Sequence, residues 1–200
     1  MAETPLDRRA FFRRSARTLL DAVAESVRTA CRADRGRTDG PLRRLRPPGA
    51  VAEEDFLRRC TACDDCLTAC PAACIVRVPP GRPDAGTPVI RPDRRACVLC
   101  ADFACAAACG AGALQTPTTP AAAGIGTARL EPALCLSWTG ATCDTCVAVC
   151  PVEPKAVEFD LERHPVVAAD RCPGCGLCEE RCPALPRAIR IEPPFGRPVA

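Results

Sequence analysis

The 200-residue chain has no tyrosine, one tryptophan and six phenylalanines, so that aromatics make up only 4% of it. Side-chain volume on that scale does not build a conventional aromatic-centred core. No stretch approaches the ~18 consecutive apolar residues of a membrane-spanning helix, and no apolar secretory leader opens the sequence. A secreted disulfide scaffold is therefore not the expected reading of a cysteine-rich chain. What the sequence has instead is proline (22), glycine (13) and cysteine (18). Proline and glycine together exceed their usual ~12% share and point to a loop-rich fold. The cysteines are the residues left to hold it together.

Charge is unevenly divided. Residues 1–49 carry 12 Arg against 6 Asp/Glu, whereas residues 50–200 carry 15 Lys/Arg against 18 Asp/Glu. The Arg-rich stretches "RPPG", "RPD" and "GRP" read as loop composition. They lack the interleaved aromatics that bind single-stranded nucleic acid, and no nucleic-acid partner is expected.

Sixteen cysteines fall into four repeats. Cys60, Cys63, Cys66 and Cys70-Pro71 form C-x2-C-x2-C-x3-C-P, and Cys172, Cys175, Cys178 and Cys182-Pro183 repeat it. Cys97, Cys100, Cys105 and Cys109 form C-x2-C-x4-C-x3-C; Cys135, Cys143, Cys146 and Cys150-Pro151 form C-x7-C-x2-C-x3-C-P. The opening cysteines stand 37, 38 and 37 residues apart, so one supersecondary unit occurs four times. Such a loop wraps three iron corners of a cubane, and its fourth thiolate, three residues on, reaches the other cluster of a pair. The fourth Cys is expected to start a helical turn, with proline at the first helical position. Zinc sites use paired C-x2-C units, and disulfides across two residues are uncommon, so four [4Fe–4S] clusters are the expected cofactors. With each cluster at about −2, the formal +3 of the sequence becomes roughly −5.

Short strands are expected at 88–90, 127–130 and 165–167, each running into a cysteine motif, and at 156–159 and 188–191, each following one. An aliphatic residue follows the fourth Cys at +5 in the first two motifs (Ile75, Leu114) and at +7 in the last two (Val157, Ile189). The motifs are therefore paired sequentially. Cluster 1 takes Cys60, Cys63, Cys66 and Cys109; cluster 2 takes Cys97, Cys100, Cys105 and Cys70. Cluster 3 takes Cys135, Cys143, Cys146 and Cys182; cluster 4 takes Cys172, Cys175, Cys178 and Cys150. Pairing the first motif with the fourth and the second with the third stays open. The expected fold is α+β: two tandem bacterial-type two-[4Fe–4S] ferredoxin modules with an N-terminal amphipathic helix. The expected segments are a basic N-terminal helix and linker at 1–46, a first module at 47–115, a linker at 116–127 and a second module at 128–200.

The order of motif variants, with "CLSWTGATCDTCVAVCP" third and "CPGCGLCEERCP" fourth, resembles the ferredoxin-type proteins of periplasmic nitrate reductase and methylamine dehydrogenase systems, the NapG and MauM types. The stretch "RPPGAVAEEDFLRRCTACDDC" also resembles the NapF type. The resemblance covers residues 46–192. It implies a polyferredoxin that relays electrons to or from a larger, respiratory-type oxidoreductase, with a membrane quinol-oxidising subunit as a further partner. For the NapF type it implies instead an accessory protein that helps mature an iron–sulfur or molybdenum enzyme. Clusters held by thiolates alone leave no iron corner open for substrate, so no catalytic residue is expected and the chain is read as an electron carrier, not an enzyme.

Asp7-Arg8-Arg9-Ala10-Phe11-Phe12-Arg13 resembles a twin-arginine export motif. Arg17, Asp21, Glu25 and Arg28 interrupt the apolar stretch that should follow it, and a cytoplasmic location is the expectation. The segment reads as an amphipathic helix capped by Thr4, with Phe12, Ala16, Leu19, Val23 and Val27 as its stripe. Cys74 reads as a buried packing thiol, not a fifth ligand, and Cys31 as a free thiol. His164, the only histidine, reads as an exposed loop residue and not a catalytic base. Trp138 either shields a cluster or simply packs.

Overall fold

Among the described residues every regular element is short, as a segment so rich in proline and glycine requires. The computed structural model describes residues 44–194; the N-terminal helix expectation and Cys31 lie outside the described residues. The elements are α1 (Glu53–Arg59), α2 (Asp65–Ala69), β1 (Ile75–Arg77), β2 (Pro88–Ile90), α3 (Ala104–Ala107), β3 (Thr127–Leu130), α4 (Thr145–Ala148), β4 (Val157–Phe159), β5 (Pro165–Val167), α5 (Leu177–Arg181) and β6 (Ile189–Glu192), with 3-10 turns at Pro120–Ala123 and Pro132–Leu134. This is a small mixed helix-and-sheet protein. Among the described residues no helix is long and apolar enough to cross a membrane.

The strands pair as three antiparallel ribbons, β1–β2, β4–β5 and β3–β6. Two of them join the end of one cysteine motif to the start of the next, with Ile75 opposite Ile90 and Val157 opposite Val167. The third closes the second half: β3 enters the third motif, β6 leaves the fourth, and Ala128 faces Ile191. The first half has a one-residue counterpart, the bridge between Ala50 and Leu114. Alternation along β6 is inward at Ile189 and Ile191, as a half-buried strand dictates.

Each third cysteine sits in a short helix and is buried: Cys66 in α2, Cys105 in α3, Cys146 in α4 and Cys178 in α5. The fourth cysteine comes at or just beyond the helix C-terminus, where Cys70 and Cys182 are the capping residues. This reverses the expected arrangement. Proline after the fourth Cys stops a helix that precedes it, and does not start a new one.

One hydrophobic cluster runs through both halves, joining Phe56, Ile90, Leu99 and Phe103 to Ile125, Val152 and Ala156. Ala123 and Ile125, in the segment read as a linker, are almost wholly buried in it.

Arg46 is fully buried, and so are Pro47 and Pro48. This copy of "RPPG" is loop and turn as expected, but buried instead of solvated. The Arg46 guanidinium pairs with Glu53 and reaches Asp84 Oδ2 at 3.1 Å, Thr87 Oγ1 at 2.9 Å and Pro88 O at 3.0 Å. It also lies 4.6 Å over the Phe56 ring.

Gly49 belongs to the same corner, at φ +72, and Gln115 N–H donates to its carbonyl at 2.8 Å. A Cβ there would stand 1.7 Å from Gln115 O, whereas Gly81, at φ +85, faces open space. Both Gly49→Ala and Gly81→Ala incur the left-handed cost of roughly 1–2 kcal/mol. Only Gly49→Ala adds a backbone collision, and it is expected to lower the denaturant midpoint several-fold more. Equal midpoint shifts would show that this contact contributes nothing.

Candidate iron–sulfur site

In the first, second and fourth motifs the loop before the third cysteine is kinked by left-handed residues. Asp64, Phe103 and Gly176 each stand two residues before a third cysteine, and Ala62, Leu99 and Gly174 each stand two residues after a first; all six have positive φ. Such turns fold a C-x2-C segment back on itself, so that its thiols face one interior. Backbone N–H groups then reach sulfur: Leu99 N donates to Cys97 Sγ at 3.4 Å, Ala128 N to Cys172 Sγ at 3.3 Å and Ala156 N to Cys150 Sγ at 3.3 Å.

Two cavities result. One is lined by Cys60, Cys63, Cys66 and Cys109, with Phe56, Pro88 and Leu114 among its walls. The other is lined by Cys150, Cys172, Cys175 and Cys178. Each brings three cysteines of one motif together with the fourth cysteine of a neighbouring motif. In a third group Cys105 has Cys97, Cys100 and Cys70 as neighbouring thiols. In the fourth, Cys146 has Cys135 and Cys143 beside it, and Cys182 packs in one apolar cluster with Cys135. A zinc site would draw four sulfurs to ~2.3 Å from one point. Among the described residues no three His, Cys, Asp or Glu side chains are placed to hold a single ion.

Burial raises the innermost of these thiols. It pushes Cys66 up to about 11, helped by Cys60, Cys109 and Cys63, and Cys105 up to about 12, helped by Cys97, Cys70 and Cys100. Cys146 and Cys175 are each raised to about 11, and Cys178 further still, again by burial first. A like-charged set of buried thiolates is unstable by itself; it becomes stable around a cationic core.

Cys74 is buried at 2% exposure, with its sulfur 3.6 Å from Cys70 Sγ. Its thiol hydrogen-bonds Cys97, which holds Cys97 down to about 7 and drives Cys74 itself far up. It is a buried thiol as expected, and it touches Cys70 and Cys97, two cysteines of the group around Cys105. Trp138 stacks on His164 at 4.3 Å between ring centroids and donates to Pro165 O at 3.3 Å. His164 is thus half-buried, not an exposed loop residue, with Nδ1 3.7 Å from Asp160 and 3.6 Å from Glu162. Sequence reasoning missed Lys155, the chain's only lysine, whose Nζ caps the end of α4 through Val147 O at 2.8 Å.

Short helices and ribbons around cysteine-only groups define a protein built to surround inorganic cores with thiolates. Comparison with known proteins makes this specific. The chain is 36% identical over 196 residues to the methylamine utilization ferredoxin-type protein MauM of Paracoccus denitrificans, covering 88% of each. It is 34% identical over 204 residues to the ferredoxin-type protein NapG of Escherichia coli K12, covering 93% of this chain and 85% of that one. It is 33% identical over 144 residues to the ferredoxin-type protein NapF of Haemophilus influenzae, covering 70% and 74%. No family model and no solved structure matches. The chain belongs to the ferredoxin-type family of iron–sulfur electron-transfer proteins that includes MauM, NapG and NapF.

Proposed function

We propose that this protein is a polyferredoxin with four [4Fe–4S] clusters in two tandem two-cluster modules, relaying electrons to or from a larger, respiratory-type oxidoreductase. The observation that carries the reading is the pair of cavities lined by Cys60, Cys63, Cys66 and Cys109 and by Cys150, Cys172, Cys175 and Cys178. Their make-up agrees with the sequential pairing of motifs, in which the other two sets are Cys97, Cys100, Cys105 and Cys70, and Cys135, Cys143, Cys146 and Cys182. A cubane bound at such a set supplies a one-electron redox centre. The chain supplies four thiolates per set, N–H donors to sulfur and an apolar wall that limits water. The name of its MauM relative points to methylamine utilization, and a partner of that kind, a cofactor-bearing oxidoreductase, fits a carrier without a substrate site of its own.

A second reading, an accessory protein that assists assembly of such an enzyme, draws on one observation: Cys63 is exposed, and a core held there is open to exchange.

The deciding experiment is an anaerobic iron and acid-labile sulfide count coupled to an EPR-monitored redox titration. About sixteen iron and sixteen sulfide per chain, cycling reversibly, is the expected result. Iron lost on cycling and delivered to an apo-enzyme would favour the accessory role; zinc without sulfide would overturn both.

A further inference from the structure

The two halves meet at a seam, and the seam joins the second cysteine set to the fourth. Cys97 N–H donates to Cys175 O at 2.9 Å, a main-chain contact between two residues that are themselves cysteines of different halves. Beside it Ala96 N–H donates to Glu180 Oε2 at 2.7 Å, and Arg187 Nη1 donates to Asp93 O at 2.7 Å. Behind it Ile125 N–H donates to Pro173 O at 3.0 Å.

The glycines on either side of Cys175 permit this approach. A Cβ on Gly176 would lie 2.5 Å from Pro92 Cβ, and one on Gly174 would lie 2.3 Å from Gly126 N. Neither glycine is explained by its own loop alone: at the position of Gly176 the first two motifs carry Asp64 and Phe103, also at positive φ. Glycine is needed in the fourth motif because another part of the chain comes so close.

Within each half the sets are linked by short helices. Cys66 and Cys70 bracket the end of α2, and Cys105 and Cys109 the end of α3, joining the first set to the second. Cys146 with Cys150, and Cys178 with Cys182, do the same through α4 and α5 for the third and fourth.

Resting on the four-cluster reading above, we propose that the four cysteine sets lie in the spatial order first, second, fourth, third. The Cys97–Cys175 peptide contact bridges the halves, and the first and third sets are the ends that face electron-exchange partners. The order differs from the order of the motifs along the chain. It makes the two halves one continuous path instead of two independent carriers.

The test uses the anaerobically purified full-length protein after its iron and sulfide have been counted. EPR spectra of the fully reduced protein are expected to require three nearest-neighbour spin–spin interactions, one within each half and one between them. Arg187→Ala removes the donor to Asp93 O across the seam without altering a cysteine loop, and a weakened third interaction at unchanged iron content is its expected result. Should that variant fail to load, the parent spectrum decides alone. A parent spectrum that sums two isolated coupled pairs would overturn the order while leaving the four-cluster reading intact. A protein without iron and sulfide would overturn both.

Discussion

Stripping iron with a chelator under reducing conditions is expected to unfold the protein, with loss of its far-UV dichroism and of cooperative melting. The reason lies in the size of its elements. Among the described residues, helices of four to seven residues and strands of three or four are well below what is stable alone, since isolated helices need ~12–15 residues and a lone two-stranded ribbon is marginal. The apolar core does not make up the deficit, because buried cysteines Cys66, Cys97, Cys105 and Cys175 are themselves members of its main cluster. Each proposed cluster would instead cross-link segments about 40 residues apart, such as Cys66 with Cys109. Structural zinc contributes ~10–16 kcal/mol to comparable small folds, and losing four proposed clusters of that kind would exceed what the short elements could withstand. The emptied thiols also take up protons, since Cys66 and Cys105, raised to about 11 and 12, are neutral at pH 7. Cys66 and Cys105 thus bind protons as they leave iron, so acid favours loss, and iron should pass to a chelator faster at pH 6 than at pH 8. An iron-free protein that melts cooperatively, or a rate independent of pH, would contradict this account.

Much of the architecture was legible because it rests on features that recur in the sequence. Cysteine spacing announced the repeat, and the ribbons at 88–90, 127–130 and 165–167 stand where the aliphatic runs put them. β4 and β6 begin one residue later than expected, at Val157 and Ile189, although the preceding alanines are buried and their carbonyls still accept from the partner segments, Ala156 O from Ala168 N–H at 2.8 Å and Ala188 O from Glu131 N–H at 2.7 Å. The placement of the helices was misread, since C-P is equally compatible with a helix starting or stopping, and only the tertiary structure shows that it stops. The seam was not legible at all. Cys97 and Cys175 are 78 residues apart and meet through main-chain groups, which leave no signature in side-chain pattern. The burial of Ile125 was hidden by its setting among Ala, Gly and Thr, a composition shared by true linkers.

Arg46→Met is expected to cost about 3–5 kcal/mol, the largest loss from any one side chain outside the cysteines. Arg46 has zero exposure, and its partners Glu53 and Asp84 are exposed by only 4% and 8%. Removing the guanidinium leaves Glu53 as a buried carboxylate without a counter-charge, while Asp84 retains Arg44, whose Nε stands 2.9 Å away. Thr87 Oγ1 and Pro88 O lose their donor in the same step. The damage should appear first at the cavity formed by Cys60, Cys63, Cys66 and Cys109, because Phe56, under the guanidinium, and Pro88, held by it, both line that cavity. Denaturant titrations of the loaded protein followed by visible absorbance would read both effects, as a lower midpoint and as early loss of about a quarter of the signal. The double change Arg46→Met with Glu53→Leu removes the stranded charge along with its partner and should recover most of the loss, as replacing a whole buried pair by apolar residues generally does. If Arg46→Met alone shifts the midpoint no more than a surface substitution, within ~0.5 kcal/mol, the network does not hold this corner. If the double variant is no better than the single one, what Arg46 provides is the hydrogen bonds to Thr87 and Pro88 and not charge compensation.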